Sequence, residues 1–197
     1  MEKRQQEVIN GRVVFIGDSN VGKTSLLQKY INGPYQKDPS PTIGAVFHTK
    51  EVKFKNKQII LQIWDTAGQE EYRSIGPIYY RNSNAAIAVF DLTKKESLKS
   101  LEGWIKAFRQ NSDDPFVVIA GNKSDLDEQI STTIEETSEW AQTLDAECIW
   151  TSAISGLGIN ELFDKVVEHV SETKEIIPQG NNSVDLKSIE IKERKCC

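Results

Sequence analysis

Near the N-terminus, the run GDSNVGKT from Gly17 to Thr24 sets two glycines five positions apart, then a lysine and a hydroxyl side chain. Glycines let the chain curl so that successive backbone N–H groups point inward and can wrap a phosphate chain. A helix starting at that point adds its own unpaired N–H groups and the positive end of its dipole. In this reading Ser19, Asn20, Val21, Gly22, Lys23, Thr24 and Ser25 surround the phosphates. Lys23 reaches the terminal ones and the Thr24 hydroxyl ligates Mg²⁺. The alternative is a glycine-rich turn without a ligand, which the apolar run before it and the helical pattern after it disfavour.

Two further stretches carry chemistry. In WDTAGQE, Asp65 ends an apolar run and would face the metal through a water; Gly68 offers an N–H to a γ-phosphate. Gln69 is neutral and can both accept from and donate to an attacking water, where a carboxylate would repel the phosphate. In GNKSD, the Asp125 carboxylate can accept from the ring N–H and the exocyclic amine of guanine, whereas adenine has neither donor on that edge. Two charge-assisted bonds at about 1.5–3 kcal/mol each give roughly 3–6 kcal/mol of discrimination. Asn122 belongs to the same loop, Lys123 would lie along the base, and the Ala153 N–H in TSA, beside Ser152, would meet the guanine carbonyl.

The elements that must position these residues read as strands alternating with helices. RVVFIGD, AVFHTKEVKF, QIILQIWD, AAIAVFDL, FVVIAGN and ECIWTSA are six strand candidates. Helices are expected after the first glycine loop and over 96–111, 132–144 and 159–172, the third opened by a capping box from Thr132 to Glu135. That alternation predicts an α/β fold: a doubly wound, mostly parallel six-stranded sheet with helices on both faces. In such sheets ligands gather beyond the carboxyl ends of the strands, where all three motifs fall. Residues 1–9 are expected to be a short extension, 10–173 the domain and 174–197 a tail without a periodic apolar face.

Composition narrows the classes. A net charge of −5 with no basic stripe argues against nucleic acid as a partner. No apolar run reaches the ~18 residues of a membrane span, and the first residues lack the apolar stretch of a signal peptide. Three cysteines make no disulfide framework; Cys148 reads as a buried free thiol.

Taken in order, each at a strand end, the motifs resemble those of the small Ras-like GTPases. TIGAVF, WDTAGQE, YYR and the final Cys-Cys pair are most similar to the Rab branch, and TIGAVF with AAIAVFDLT to its early-endosomal members. The resemblance spans about residues 10–172 and the terminal cysteines. It implies GTP and GDP as ligands with Mg²⁺, held by Thr24, Thr42 and, through water, Asp65. It implies that Thr42 joins the metal when GTP is bound and that Tyr35 packs on the guanine. Two switch segments are then held by the γ-phosphate and released on hydrolysis. Effectors would read Ile43, Phe47, Trp64 and Tyr79, for which core packing is the alternative. An exchange factor, a GTPase-activating protein and a GDP-dissociation inhibitor are the other implied partners, and the protein is expected to be a monomer.

The chain departs from the family pattern at Ser19, which crowds the space Gln69 needs, at Glu71, where a basic residue is usual, and at Ile154, where a lysine is usual. Between Tyr35 and Thr42 there is no arginine to act in cis, so intrinsic hydrolysis is expected to be slow, on the order of 10⁻⁴ s⁻¹. The tail's basic and acidic residues nearly cancel, so its anchor would be two lipids on Cys196 and Cys197 rather than a polybasic patch. The expected location is the cytoplasm, with cycling onto the cytosolic face of intracellular membranes, endosomes among them. His48 and His169 are expected to lack functional partners, and Trp104, Trp140 and Trp150 to fill the core or its rim. Two alternatives remain: a nucleotide-locked scaffold with little turnover, and a kinase or ATPase with the same phosphate loop, which Asn122 to Asp125 disfavour.

Overall fold

The computed structural model describes residues 7–33, 41–69 and 75–173. Tyr35, Glu71, Cys196 and Cys197 lie outside them. Strand β1 is Glu7–Ile16, followed by α1 (Lys23–Asn32), the strand pair β2 (Ala45–Phe54) and β3 (Lys57–Thr66), and a short α2 (Gly76–Tyr80). Then come β4 (Ala85–Asp91), α3 (Lys95–Asn111), β5 (Val117–Asn122), α4 (Ile134–Thr143), β6 (Glu147–Trp150) and α5 (Ile159–Thr173). The six strands lie in the order β2-β3-β1-β4-β5-β6. Every pairing is parallel except β2 with β3. The α/β reading of a mostly parallel six-stranded sheet therefore holds.

Burial explains the pattern. All seven residues of β4 are buried, so it reads as a continuous apolar run, as expected for a strand covered on both faces. Along β1 the side chains alternate between two cores. Val13 and Phe15 join Leu26 and Leu27 of α1 and Leu162, Phe163 and Val166 of α5. Val14 and Ile16 join Leu101, Trp104, Ile105 and Phe108 of α3 on the other face. At Gly11 a Cβ would come within 2.5 Å of the Val170 side chain, so β1 and α5 sit closer than any larger residue allows.

Three details differ from expectation. Strand β1 starts at Glu7, because Glu7 to Asn10 pair with Lys57 to Ile60 of β3 and Ile9 is fully buried. Residues 7–9 are thus sheet rather than extension. The cap of α4 is one residue later than expected: Thr133, in extended backbone, accepts from the Glu136 N–H, and Glu136 accepts from the Thr133 N–H. His169 is not isolated, since its Nε2 lies 2.9 Å from Asp114 Oδ2 and its ring stacks on Phe116. Cys148 is free and half-buried, and burial pushes its thiol up to about 11. Among the described residues, no helix is long and apolar enough to cross a membrane.

Candidate functional site

The carboxyl ends of β1, β3 and β5 open into a cavity of about 480 Å³. Ser19, Asn20, Gly22, Lys23, Thr24, Ser25, Thr42, Gly68, Gln69, Asn122, Lys123, Asp125 and Ala153 line it, with Ile154 at its edge. Val21 differs: its side chain is 2% exposed and belongs to the core, so only its backbone faces this end of the molecule. Ser152 is fully buried behind the cavity rather than in its lining.

At the phosphate-loop end, the turn into α1 is set by Gly22, which is left-handed at φ 97° and leaves no room for a Cβ 2.2 Å from Asn122 Nδ2. Lys23 is nine-tenths or more buried, and its Nζ donates to the carbonyl oxygens of Gly17 (2.8 Å) and Asp18 (2.7 Å). Burial pushes its ammonium down to about 8, against the opposing pull of Asp65 and Asp18. An ammonium has three donors, so two carbonyls leave one for a ligand.

Thr24, Thr42 and Asp65 converge beside it. Thr24 Oγ1 donates to Asp65 Oδ2 at 2.7 Å and lies 2.9 Å from Thr42 Oγ1, which in turn reaches Oδ2 at 3.3 Å. Burial raises the Asp65 carboxyl, while the Thr24 hydroxyl, the Lys23 charge and the Thr42 hydroxyl act to lower it. Asp65 Oδ1 is buried without a hydrogen-bond partner among the described residues. Two hydroxyls and a carboxylate, one of whose oxygens is buried and unmatched, form an oxygen donor set that fits a hard cation such as Mg²⁺. Across the cavity mouth Gly68 presses on the phosphate loop: a Cβ there would stand 2.3 Å from Lys23 Nζ and 2.4 Å from the Asp18 carbonyl.

At the other end, Asp125 Oδ1 accepts from Ser152 Oγ at 2.6 Å. The same hydroxyl accepts from the N–H groups of Ile154 (3.2 Å) and Ser155 (3.0 Å), which ties the TSA turn to the carboxylate. Asn122 Nδ2 donates to the Val21 carbonyl at 2.8 Å, joining this loop to the phosphate loop.

Lys123, at φ 69°, places its Nζ 2.6 Å from Asp91 Oδ2. Burial would raise Asp91, but bonds from Lys123 and Thr93 outweigh it and hold the carboxyl below its ordinary value. Sequence reasoning missed Asp91. Its signal was an acid closing an otherwise apolar strand, in register with Asn122 on β5. Leu126, Thr66 and Pro41 also line the cavity without having been singled out.

Outside the cavity, Phe47, Trp64 and Tyr79 form a chain of rings, with centroids 5.1 Å and 5.3 Å apart. The Arg12 guanidinium stands 5.0 Å over Trp64. Core packing does not describe Phe47, which is 47% exposed on edge strand β2; Ile43 is 79% exposed and Ile78, which precedes Tyr79, 70%.

A phosphate-wrapping loop, a hydroxyl–carboxylate cluster and a carboxylate acceptor for a base, all on the rim of a mostly parallel sheet, define a nucleotide-binding protein of the small GTPase kind. The family model described as Ras family matches residues 12–172, and the chain belongs to that family. It is 37% identical to human Ras-related protein Rab-22A over 94% of this chain and 97% of that one. To human Ras-related protein Rab-31 it is 34% identical over 94% and 96%. To Ras-related protein Rab-21 of Geodia cydonium it is 37% identical over 86% and 75%. Within the family it is a Rab-type small GTPase, a GTP-binding hydrolase of vesicle transport.

Proposed function

We propose that the protein is a GTP/GDP switch that recruits effectors to intracellular membranes while GTP is bound and hydrolyses GTP slowly until an activating protein intervenes. The observation that carries this reading is the meeting of Thr42 and Gly68, from two separate segments, at the same end of the cavity as Lys23 and Thr24. A γ-phosphate there has something to hold in each segment, and its loss releases both. Mg²⁺ would be held by the Thr24 and Thr42 hydroxyls with Asp65 behind them, and would supply positive charge against the phosphate oxygens. Gln69 would orient the attacking water, Asp125 and Ala153 would read the guanine, and Tyr35 would cover it.

Effectors would dock on the exposed Phe47 and Ile43 and on the half-buried rings of Trp64 and Tyr79, which pack against the core beneath them. An exchange factor, an activating protein and a GDP-dissociation inhibitor complete the cycle. Lipids on Cys196 and Cys197 would anchor the chain, and the likeness to Rab-22A, Rab-31 and Rab-21 favours endosomes as the destination.

Single-turnover hydrolysis of bound GTP tests the switch. Gln69→Leu is expected to slow it at least tenfold while GDP binding stays intact, and an unchanged rate refutes the role of Gln69. For the anchor, the chain with both terminal cysteines replaced by serine is expected in the soluble fraction of cells. Its persistence on membranes refutes the lipid reading.

A further inference from the structure

The phosphate loop is tied to helix α3 through a side chain that neither the motif nor the metal cluster uses. Asp18, directly after Gly17, points its carboxylate away from the cavity. Its Oδ1 accepts from the indole Nε1 of Trp104 at 2.8 Å, and its Oδ2 accepts from the Ser100 hydroxyl. Both donors come from α3, more than eighty residues along the chain. The anchor is stiff, because Trp104 is 3% exposed and packs in the core with Leu101, Ile105 and Phe108.

The main chain of Asp18 faces the other way. Its carbonyl is one of the two that hold Lys23 Nζ, and it is the surface on which Gly68 rests. We propose that Asp18 is a positioning residue of the nucleotide site: clamped by Ser100 and Trp104, it fixes the carbonyl that aims Lys23 and supports Gly68. Two charge-assisted bonds on one carboxylate also keep its negative charge turned from the phosphates. If the clamp is cut, the carbonyl shifts, and with it the lysine and the start of the second switch segment. The inference rests on the reading of the cavity as a guanine-nucleotide site.

The test measures GDP release and single-turnover GTP hydrolysis in full-length protein. Asp18→Ala is expected to release GDP about tenfold faster, the fold-change of about 1.4 kcal/mol, and to slow hydrolysis of bound GTP. S100A/W104F is expected to do at least as much, and adding D18A to it to produce no further acceleration. Asp18→Asn keeps an acceptor for the indole and a donor for Ser100, and is expected to restore release to within about twofold of the parent protein.

A residue that merely supports the fold would lower the melting temperature and leave single-turnover hydrolysis of the folded molecules unchanged, and that result overturns the proposal. So does a triple variant in which the separate effects multiply. If W104F does not fold, S100A is the second variant, expected to fall between the parent and D18A; a rate equal to the parent's overturns the clamp. A parent protein that fails to retain GDP undoes the reading of the cavity itself, whereas retained GDP with unchanged release in D18A undoes the clamp alone.

Discussion

Replacing Ser152 by alanine removes one hydroxyl and tests how the base end of the cavity works. That hydroxyl donates to Asp125 Oδ1 at 2.6 Å and accepts from the Ile154 and Ser155 N–H groups. Ile154 and Ser155 are exposed, so water can satisfy their N–H groups in the variant. Asp125 is itself exposed, so what the fully buried Ser152 hydroxyl supplies is a fixed direction for the carboxylate rather than its sole source of hydrogen bonds. A hydrogen bond to a charged group is worth about 1.5–3 kcal/mol. At about 1.4 kcal/mol per factor of ten, its loss should weaken GDP binding roughly 10- to 150-fold if the carboxylate cannot hold its pose otherwise.

The assay is GDP affinity by titration calorimetry at neutral pH, run in parallel with inosine diphosphate. Inosine lacks the exocyclic amine, so the parent protein should bind GDP more tightly by about the worth of one bond. In Ser152→Ala that preference should shrink, because a loosened carboxylate loses its bidentate alignment. GDP affinity within about twofold of the parent, or an unchanged preference over inosine, refutes the reasoning.

Asp91 sets a pH dependence. Its folded value is depressed by Lys123 and Thr93, so the stability it contributes is present above the ordinary carboxylate value of about 3.9 and is lost as pH falls through the lower folded value. Asp91→Asn should therefore be less stable by about 2 kcal/mol at pH 7, with the gap to the parent closing in acid; urea midpoints with saturating GDP measure it. Gly11→Ala should cost about 1–3 kcal/mol by driving a methyl into Val170. Its urea midpoint should recover when Val170→Ala is added, and the absence of recovery would place the fault elsewhere.

Much of the architecture was legible because apolar runs buried on both faces, such as Ala85 to Asp91, leave little ambiguity. The gathering of Lys23, Thr24, Asn122 and Asp125 in one cavity was legible too, since each follows a strand and parallel strands bring their carboxyl ends together. What escaped depended on neighbours far along the chain. His169 meets Asp114 across fifty-five positions, and the indole of Trp104 meets Asp18 across eighty-six. Apolar content does not reveal such partners. Adjacent Thr132 and Thr133, each with a glutamate three residues on, offer two equally good caps, and the backbone chooses the second. Phe47 could not be assigned to core or surface until β2 was seen at the sheet edge.

The bond from the Asn122 amide to the Val21 carbonyl spans 101 positions and welds the base-holding and phosphate-holding halves into one cradle. Such a cradle resists splitting down the middle, because the two halves would have to break that buried bond first. On the switch reading proposed above, a partner that ejects a spent diphosphate would act at the rim, where Thr42 and Gly68 lean in.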